Sequence, residues 1–265
     1  MSGAAAREPI FRREGGAYVP TGHARGPWDA GAQHGGAPAA LLATALQQAA
    51  PGMRLARITY ELLGPVPLAP LTVEAEIVRP GRRFQLLEGR LVTGGRPAVL
   101  ARAVALGGGE VALPAGAAWE GAPPVGPEAS VPRSFPGTAE GDEGFHQTGM
   151  AIRYASGSIT EAGAARAWFA LHRPLVDDEP ASPLALACAA ADFGNGISRV
   201  LDFDTHLFVN TDLTVSLLRE PEGGWVLLDA VTRLEPTGVG WAASTLYDRR
   251  GPIGFAQQTL FVAAR

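Results

Sequence analysis

Hydrophobic positions recur along this chain in two rhythms, and the order of the rhythms repeats. In GGAPAALLATALQQAAPG, residues 35–52, apolar residues fall at helical spacing between a Gly-Gly start and a Pro-Gly stop, which predicts a helix. The next stretches, MRLARITYELLGPV and LTVEAEIVRPGRRFQLLEGRLVTGGRPAVLARAVAL, break into short Val-, Leu- and Ile-rich runs at Pro80-Gly81 and Gly94-Gly95, as antiparallel strands do. TVEAEIV alternates: Val73, Ala75 and Ile77 fall on one face, Glu74 and Glu76 on the other, which predicts a strand with one wet side. A second helix pattern starts at Leu184 and is followed by HLFVNTDLTVSLLREP and GWVLLDAVTRLEPTGVGWAASTLYDRRGPIGFAQQTLFV. There WVLLDAV loses the alternation, as a strand covered more fully would.

Helix, strand, turn and three more strands therefore occur twice. YELLGP aligns with VSLLREP, and TGGRPAVLARAVAL with YDRRGPIGFAQQTLF, which sets Pro97 opposite Pro252 and Arg102 opposite Gln257. We read this as an internal duplication. The expected fold class is α+β: two tandem units, each with one long helix packed on a curved antiparallel sheet. Between them Pro114–Gly144 is dense in Pro, Gly and Ala without a sustained period, the composition of a linker. The expected division is residues 1–113, a linker at 114–144, and residues 145–265.

Composition narrows the class. An apolar fraction of 46% supports a real core, and a formal charge of −4 removes the bulk positive charge that nucleic-acid binding needs. The single cysteine, Cys188, lies in an apolar run and reads as core packing in a reducing compartment. MSGAAAREPIFRREGG shows no long apolar region after its charges, so neither a signal peptide nor a membrane partner is expected, and the cytoplasm is the expected location. There is no HExxH or His/Cys cluster, no GxGxxG after a strand, no Walker motif and no GxSxG. No metal and no cofactor are expected.

Polar residues that interrupt apolar elements are the chemical candidates. In LALACAAADFGNGIS the run from Leu184 to Ala191 ends on Asp192, in the last turn of a mainly buried helix. Burying a carboxylate is costly, and the helix C-terminus disfavours its charge by about 0.3–1 kcal/mol. Donors must therefore hold it charged if it is to act as a base. Asn210 and Thr211 interrupt FVNTDLTVSLL, where alternation puts Asn210 and Asp212 on one face and Thr211 on the other. Gln257 and Gln258 interrupt FAQQTLFVA, so one of them points inward in either register. His34-Gly35-Gly36 precedes the first helix, where glycines permit close approach and free backbone N–H groups can hold an anion or oxyanion.

The order and spacing of these pieces resemble the acyl-CoA thioesterases of the double hot-dog type, related to bacterial thioesterase II, from about Gly22 to Val262. The carrying pieces are the His34-Gly35-Gly36 helix start, the Asp192 helix end, NTDLTVSLLREP with Trp225, and the closing GxxxxxQQTLF. The resemblance implies hydrolysis of an acyl-CoA thioester to free acid and CoA by a water that Asp192 activates. Gln257 takes the glutamine position of the last strand, and Asn210, with Thr211 adjacent, falls where the family carries a threonine. His34, Gly35 and Gly36 form the candidate substrate and oxyanion side. A tunnel between helix and sheet would take the acyl chain, at about 0.8 kcal/mol per buried CH₂. The resemblance further implies a role in lipid metabolism, acyl-CoA as the ligand and association into a homo-oligomer. Two alternatives stay open: a hydratase or dehydratase in which His34 moves the proton, and an acyl-ligand binder without activity.

Overall fold

The computed structural model describes residues 7–123, 125–132, 142–177 and 179–265. Residues 1–6, on which the reading of the amino terminus partly rests, and residues 124 and 133–141 of the expected linker lie outside the described residues.

The first half opens with a hairpin, β1 (Phe11–Glu14) and β2 (Ala17–Pro20), and a single helical turn at Gly22–Ala24. It continues through α1 (Gly36–Ala49), β3 (Arg54–Leu62), β4 (Thr72–Arg79), β5 (Phe84–Thr93) and β6 (Arg96–Leu106). The second half contains β7 (Val131–Pro132), a π-helical turn at Phe145–Gly149, β8 (Met150–Ser156), β9 (Ala165–Leu171) and α2 (Pro183–Ala191). After these come the four-residue α3 (Gly194–Ile197), β10 (His206–Asn210), β11 (Asp212–Leu217), β12 (Val226–Glu235), β13 (Val239–Asp248) and β14 (Gly251–Ala264).

Among the described residues, twelve strands form one antiparallel sheet in the order β4-β5-β6-β3-β11-β14-β13-β12-β9-β8-β7, with β10 also pairing with β14. The duplication is visible in this order. Outward from the centre, β3, β6, β5 and β4 of one half are matched by β11, β14, β13 and β12 of the other. The halves join where β3 pairs with β11, Thr59 opposite Thr214 and Ile58 opposite Val215. Two strands that would be exposed edges in separate units cover each other there. The fold is the α+β tandem double hot-dog arrangement, with α1 and α2 packed together against the sheet.

Local chemistry explains the helix limits. Ser182 caps α2 by accepting from Ala185 N–H at 3.1 Å, and Pro183 stands at the first helical position, where its missing N–H costs nothing. The expected apolar stripe of α2 proves to be the whole surface: every residue from Leu184 to Ala191 is buried. A helix without a wet face must be covered all round, and α1, β9, β11 and β12 cover this one. In β4, Val73 and Ala75 are half-buried while Ile77 is exposed, so the alternation holds but the edge strand has little cover. Val226, Leu227 and Leu228 of β12 are buried in succession, as the unbroken apolar run implies.

Described parts of the Pro- and Gly-rich segment lie on the second half. The Trp168 indole donates to Val125 O at 2.8 Å, the Trp119 ring stacks on Phe255 at 4.8 Å, and β7 pairs with β8. No helix among the described residues is long and apolar enough to cross a membrane.

Candidate active site

Asp192 caps the C-terminal end of α2, with its side chain only 5% exposed. Three side chains from three other places converge on it. Asn210, at the end of β10, donates from Nδ2 to Oδ1 at 2.9 Å. Gln258, in β14, donates from Nε2 to the Asp192 carbonyl at 3.2 Å and to Oδ1 at 3.4 Å. His34, just before α1, brings Nδ1 to 2.9 Å from Oδ2. These are the donors that a buried carboxylate at a helix C-terminus requires.

The start of α1 supplies a further compensation. A Cβ on Gly35 would stand 2.9 Å from Asp192 Oδ2 and 3.0 Å from Oδ1, and one on Gly36 would stand 2.6 Å from Ala189 O. Only residues without side chains let the first turn of α1 lie this close to the end of α2. The positive end of the α1 dipole thereby faces the carboxylate and opposes the negative end of α2.

The His34 ring is held between aromatic side chains, stacked on Phe193 at 4.2 Å and 5.3 Å from Phe145. Gly36 N–H also points at His34 Nδ1, at 3.1 Å. One ring nitrogen cannot donate to Asp192 and accept from Gly36 at once. If Nδ1 donates to Asp192 Oδ2 at 2.9 Å, it does not also accept from Gly36 N–H. Next to Phe145, burial first, then His34 and Arg25, push His146 down to about 3, so it is neutral at physiological pH.

Two expectations need correction. Gln257 is exposed on the other face of β14, in a groove of about 470 Å³ that also takes in Ser216, Trp241 and Phe255, and Gln258 makes the contacts expected of it. Strand alternation leaves no other outcome once Ala256 and Leu260 are buried. Thr211 is also exposed and donates to Thr259 O at 3.4 Å. The cause is a bulge: Asn210 pairs with Leu260, but Thr214 pairs with Gln257, so the β10–β11 side holds one extra residue. The bulge also parts Asn210 from Asp212, whose carboxylate turns to Thr259 N–H at 2.5 Å instead of sharing the Asn210 face.

Cys188 is packed in the core, where burial pushes its thiol up to about 12 and makes it inert. A cavity of about 410 Å³ lies at the N-terminal end of α2, between Leu171, Ser182, Leu186 and Gly223. That is the opposite end of the helix from Asp192. Sequence spacing also missed a cluster elsewhere: Glu8, His23 and Glu143, from three distant segments, come together with their ligand-type atoms within 4.8 Å of one another.

Comparisons with known proteins agree with this architecture. Residues 24–106 match the family model of the acyl-CoA thioesterase N-terminal domain, and residues 126–262 match that of the C-terminal domain. Among solved structures, a proposed thioesterase II from Thermobifida fusca YX is 19% identical with a TM-score of 0.73, covering 96% of this chain and 95% of that one. A proposed thioesterase from Novosphingobium aromaticivorans is 22% identical with a TM-score of 0.69, covering 96% and 99%. An acyl-CoA thioesterase II from Mycobacterium marinum is 16% identical with a TM-score of 0.64, covering 96% and 94%. A search of curated proteins finds no match. At these identities the structural likeness shows the fold, while the two family models match consecutive halves in the right order. The chain belongs to the acyl-CoA thioesterase family of hot-dog proteins.

Proposed function

We propose that the chain hydrolyses acyl-CoA thioesters, with Asp192 as the general base. The observation that supports this best is the convergence of His34, Asn210 and Gln258 on one buried carboxylate at the junction of the two units. Asp192 takes a proton from a water lying about 2.6–3.2 Å away, and the oxygen of that water adds to the thioester carbonyl. The tetrahedral oxyanion then collapses, the C–S bond breaks, and the CoA sulfur leaves with the proton that Asp192 had accepted. Free acid and CoA thiol result.

Each neighbour has a part in this scheme. Asn210 and Gln258 donate to Oδ1, while His34 fixes the direction of Oδ2. Gln258 takes the last-strand position first assigned to Gln257, and Asn210 takes the middle position in preference to Thr211. In this scheme Gly36 N–H, at the start of α1, donates to the oxyanion.

One observation favours a second reading. His34 and Asp192, 2.9 Å apart, pair an imidazole with a carboxylate across the two units, which suits reversible hydration of an enoyl-CoA. Assays of thiol release from acyl-CoAs of short, medium, long and aromatic acyl groups, run beside enoyl-CoA hydration, separate the two. Thiol release without hydration is the expected result. Hydration without thiol release selects the second reading, and tight acyl-CoA binding without either reaction overturns both.

A further inference from the structure

Glu8 lies in the amino-terminal arm, His23 in the turn at Gly22–Ala24, and Glu143 just before the turn that opens at Phe145. Their side chains meet at one point. His23 Nε2 is 3.3 Å from Glu8 Oε2 and 3.9 Å from Glu143 Oε1. Nitrogen and oxygen ligands held about 2.0–2.2 Å from a tetrahedral cation stand about 3.3–3.6 Å from one another. Two edges, 3.3 and 3.9 Å, lie near that spacing and all three ligand-type atoms lie within 4.8 Å of one another, so the groups outline one face of such a site in an expanded form.

The surroundings are arranged as a ligand shell. The His23 side chain is 3% exposed, and its Nδ1 is 2.8 Å from Thr148 Oγ1. Thr148 Oγ1 in turn donates to Gly144 O at 3.1 Å, so it accepts from Nδ1–H and turns the Nε2 lone pair toward both carboxylates. Acceptors aimed at a common point repel one another unless a positive charge lies between them. The backbone behind each carboxylate is anchored: Arg173 donates to Glu8 O at 3.2 Å, and Arg25 donates to Glu143 O. The Glu143 carboxylate lies directly against Gly22, where a Cβ would meet it.

We propose that Glu8, His23 and Glu143 bind one divalent transition-metal cation of the zinc type, through one imidazole nitrogen and two carboxylates. Glu8 and Glu143 are 37% and 48% exposed, which gives solvent access for the cation and for a water in the remaining position. The cation ties the amino-terminal arm and the approach to the second half onto the Gly22–Ala24 turn. Phe145, two residues beyond Glu143, packs on the His34 ring, so the clamp supports the wall of the candidate active site without entering its chemistry.

The test uses the full chain, stripped with EDTA and titrated with ZnCl₂, with MnCl₂ and MgCl₂ as comparisons, by calorimetry and thermal unfolding. Saturable binding of one Zn²⁺ per chain and a rise in the thermal midpoint are expected. Glu143→Gln, at a half-exposed position where folding is secure, should weaken Zn²⁺ binding by roughly tenfold or more, and His23→Gln should abolish it. Absence of one-equivalent binding, or Zn²⁺ affinity unchanged in folded Glu143→Gln, overturns the proposal.

Discussion

At Asp192 the balance is between one buried charge and the few side chains that hold it. Gln258→Ala strands Asn195 N–H, which donates to Gln258 Oε1 at 3.0 Å, and removes a donor from Asp192. The expected cost is about 1–3 kcal/mol of stability, read by urea unfolding, together with a clear loss of kcat/KM. Gln257→Ala, on the outer face, should leave both within error. Gly35→Ala drives a methyl against both carboxylate oxygens, so activity should fall in a protein that still folds, measured by thiol release and circular dichroism. The inward glutamine was partly legible in the sequence. The repeat sets Gln257 opposite Arg102, an exposed residue that pairs with Glu88 at 3.0 Å, and Gln258 opposite buried Ala103. What hid it is that large apolar residues stand on both faces of this strand: Phe255 and Phe261 are about half exposed, while Leu260 is buried beside small Ala256. Side-chain size therefore marks neither face.

At the scale of elements, the hairpin of β13 and β14 that carries Gln258 is pinned by Asp248. Its side chain is fully buried and accepts from Arg219 Nη2 at 2.6 Å, Glu222 N–H at 2.9 Å, Arg250 N–H at 2.8 Å and Gly251 N–H at 3.2 Å. Burial pushes the Asp248 carboxyl up, but the Arg219 hydrogen bond and the backbone donors outweigh it and hold the pKa below its usual value. A lowered carboxyl stabilises the fold fully above its unfolded value of about 3.9, and the contribution is lost as pH falls through the lower folded value. Asp248→Asn should therefore cost about 3–5 kcal/mol at pH 7, and the gap from the parent should shrink below about pH 4 in urea titrations. The helices, the strand runs and the covered β12 were legible from period and turn residues. The bulge at Thr211 was not, because an extra residue in a ladder is set by the partner strand and leaves no mark in its own alternation.

For the whole molecule, the pairing of β3 with β11 makes one sheet of two similarly built halves, and α2 has its cover partly from α1 of the other half. Neither half can keep its core alone, so calorimetry should show a single cooperative transition; two separable transitions would contradict the shared core. The duplication was legible because it repeats local patterns in order. The junction was not, nor was the meeting of Glu8, His23 and Glu143, since both depend on contacts between segments far apart in the chain. The central claim is that Asp192 is the base that activates water against a thioester. It is tested most directly by kcat/KM for thiol release from acyl-CoA in the parent protein and in folded Asp192→Asn. The account predicts a loss of about 10²–10⁴-fold; an Asp192→Asn protein that releases thiol at near the parent rate would contradict it.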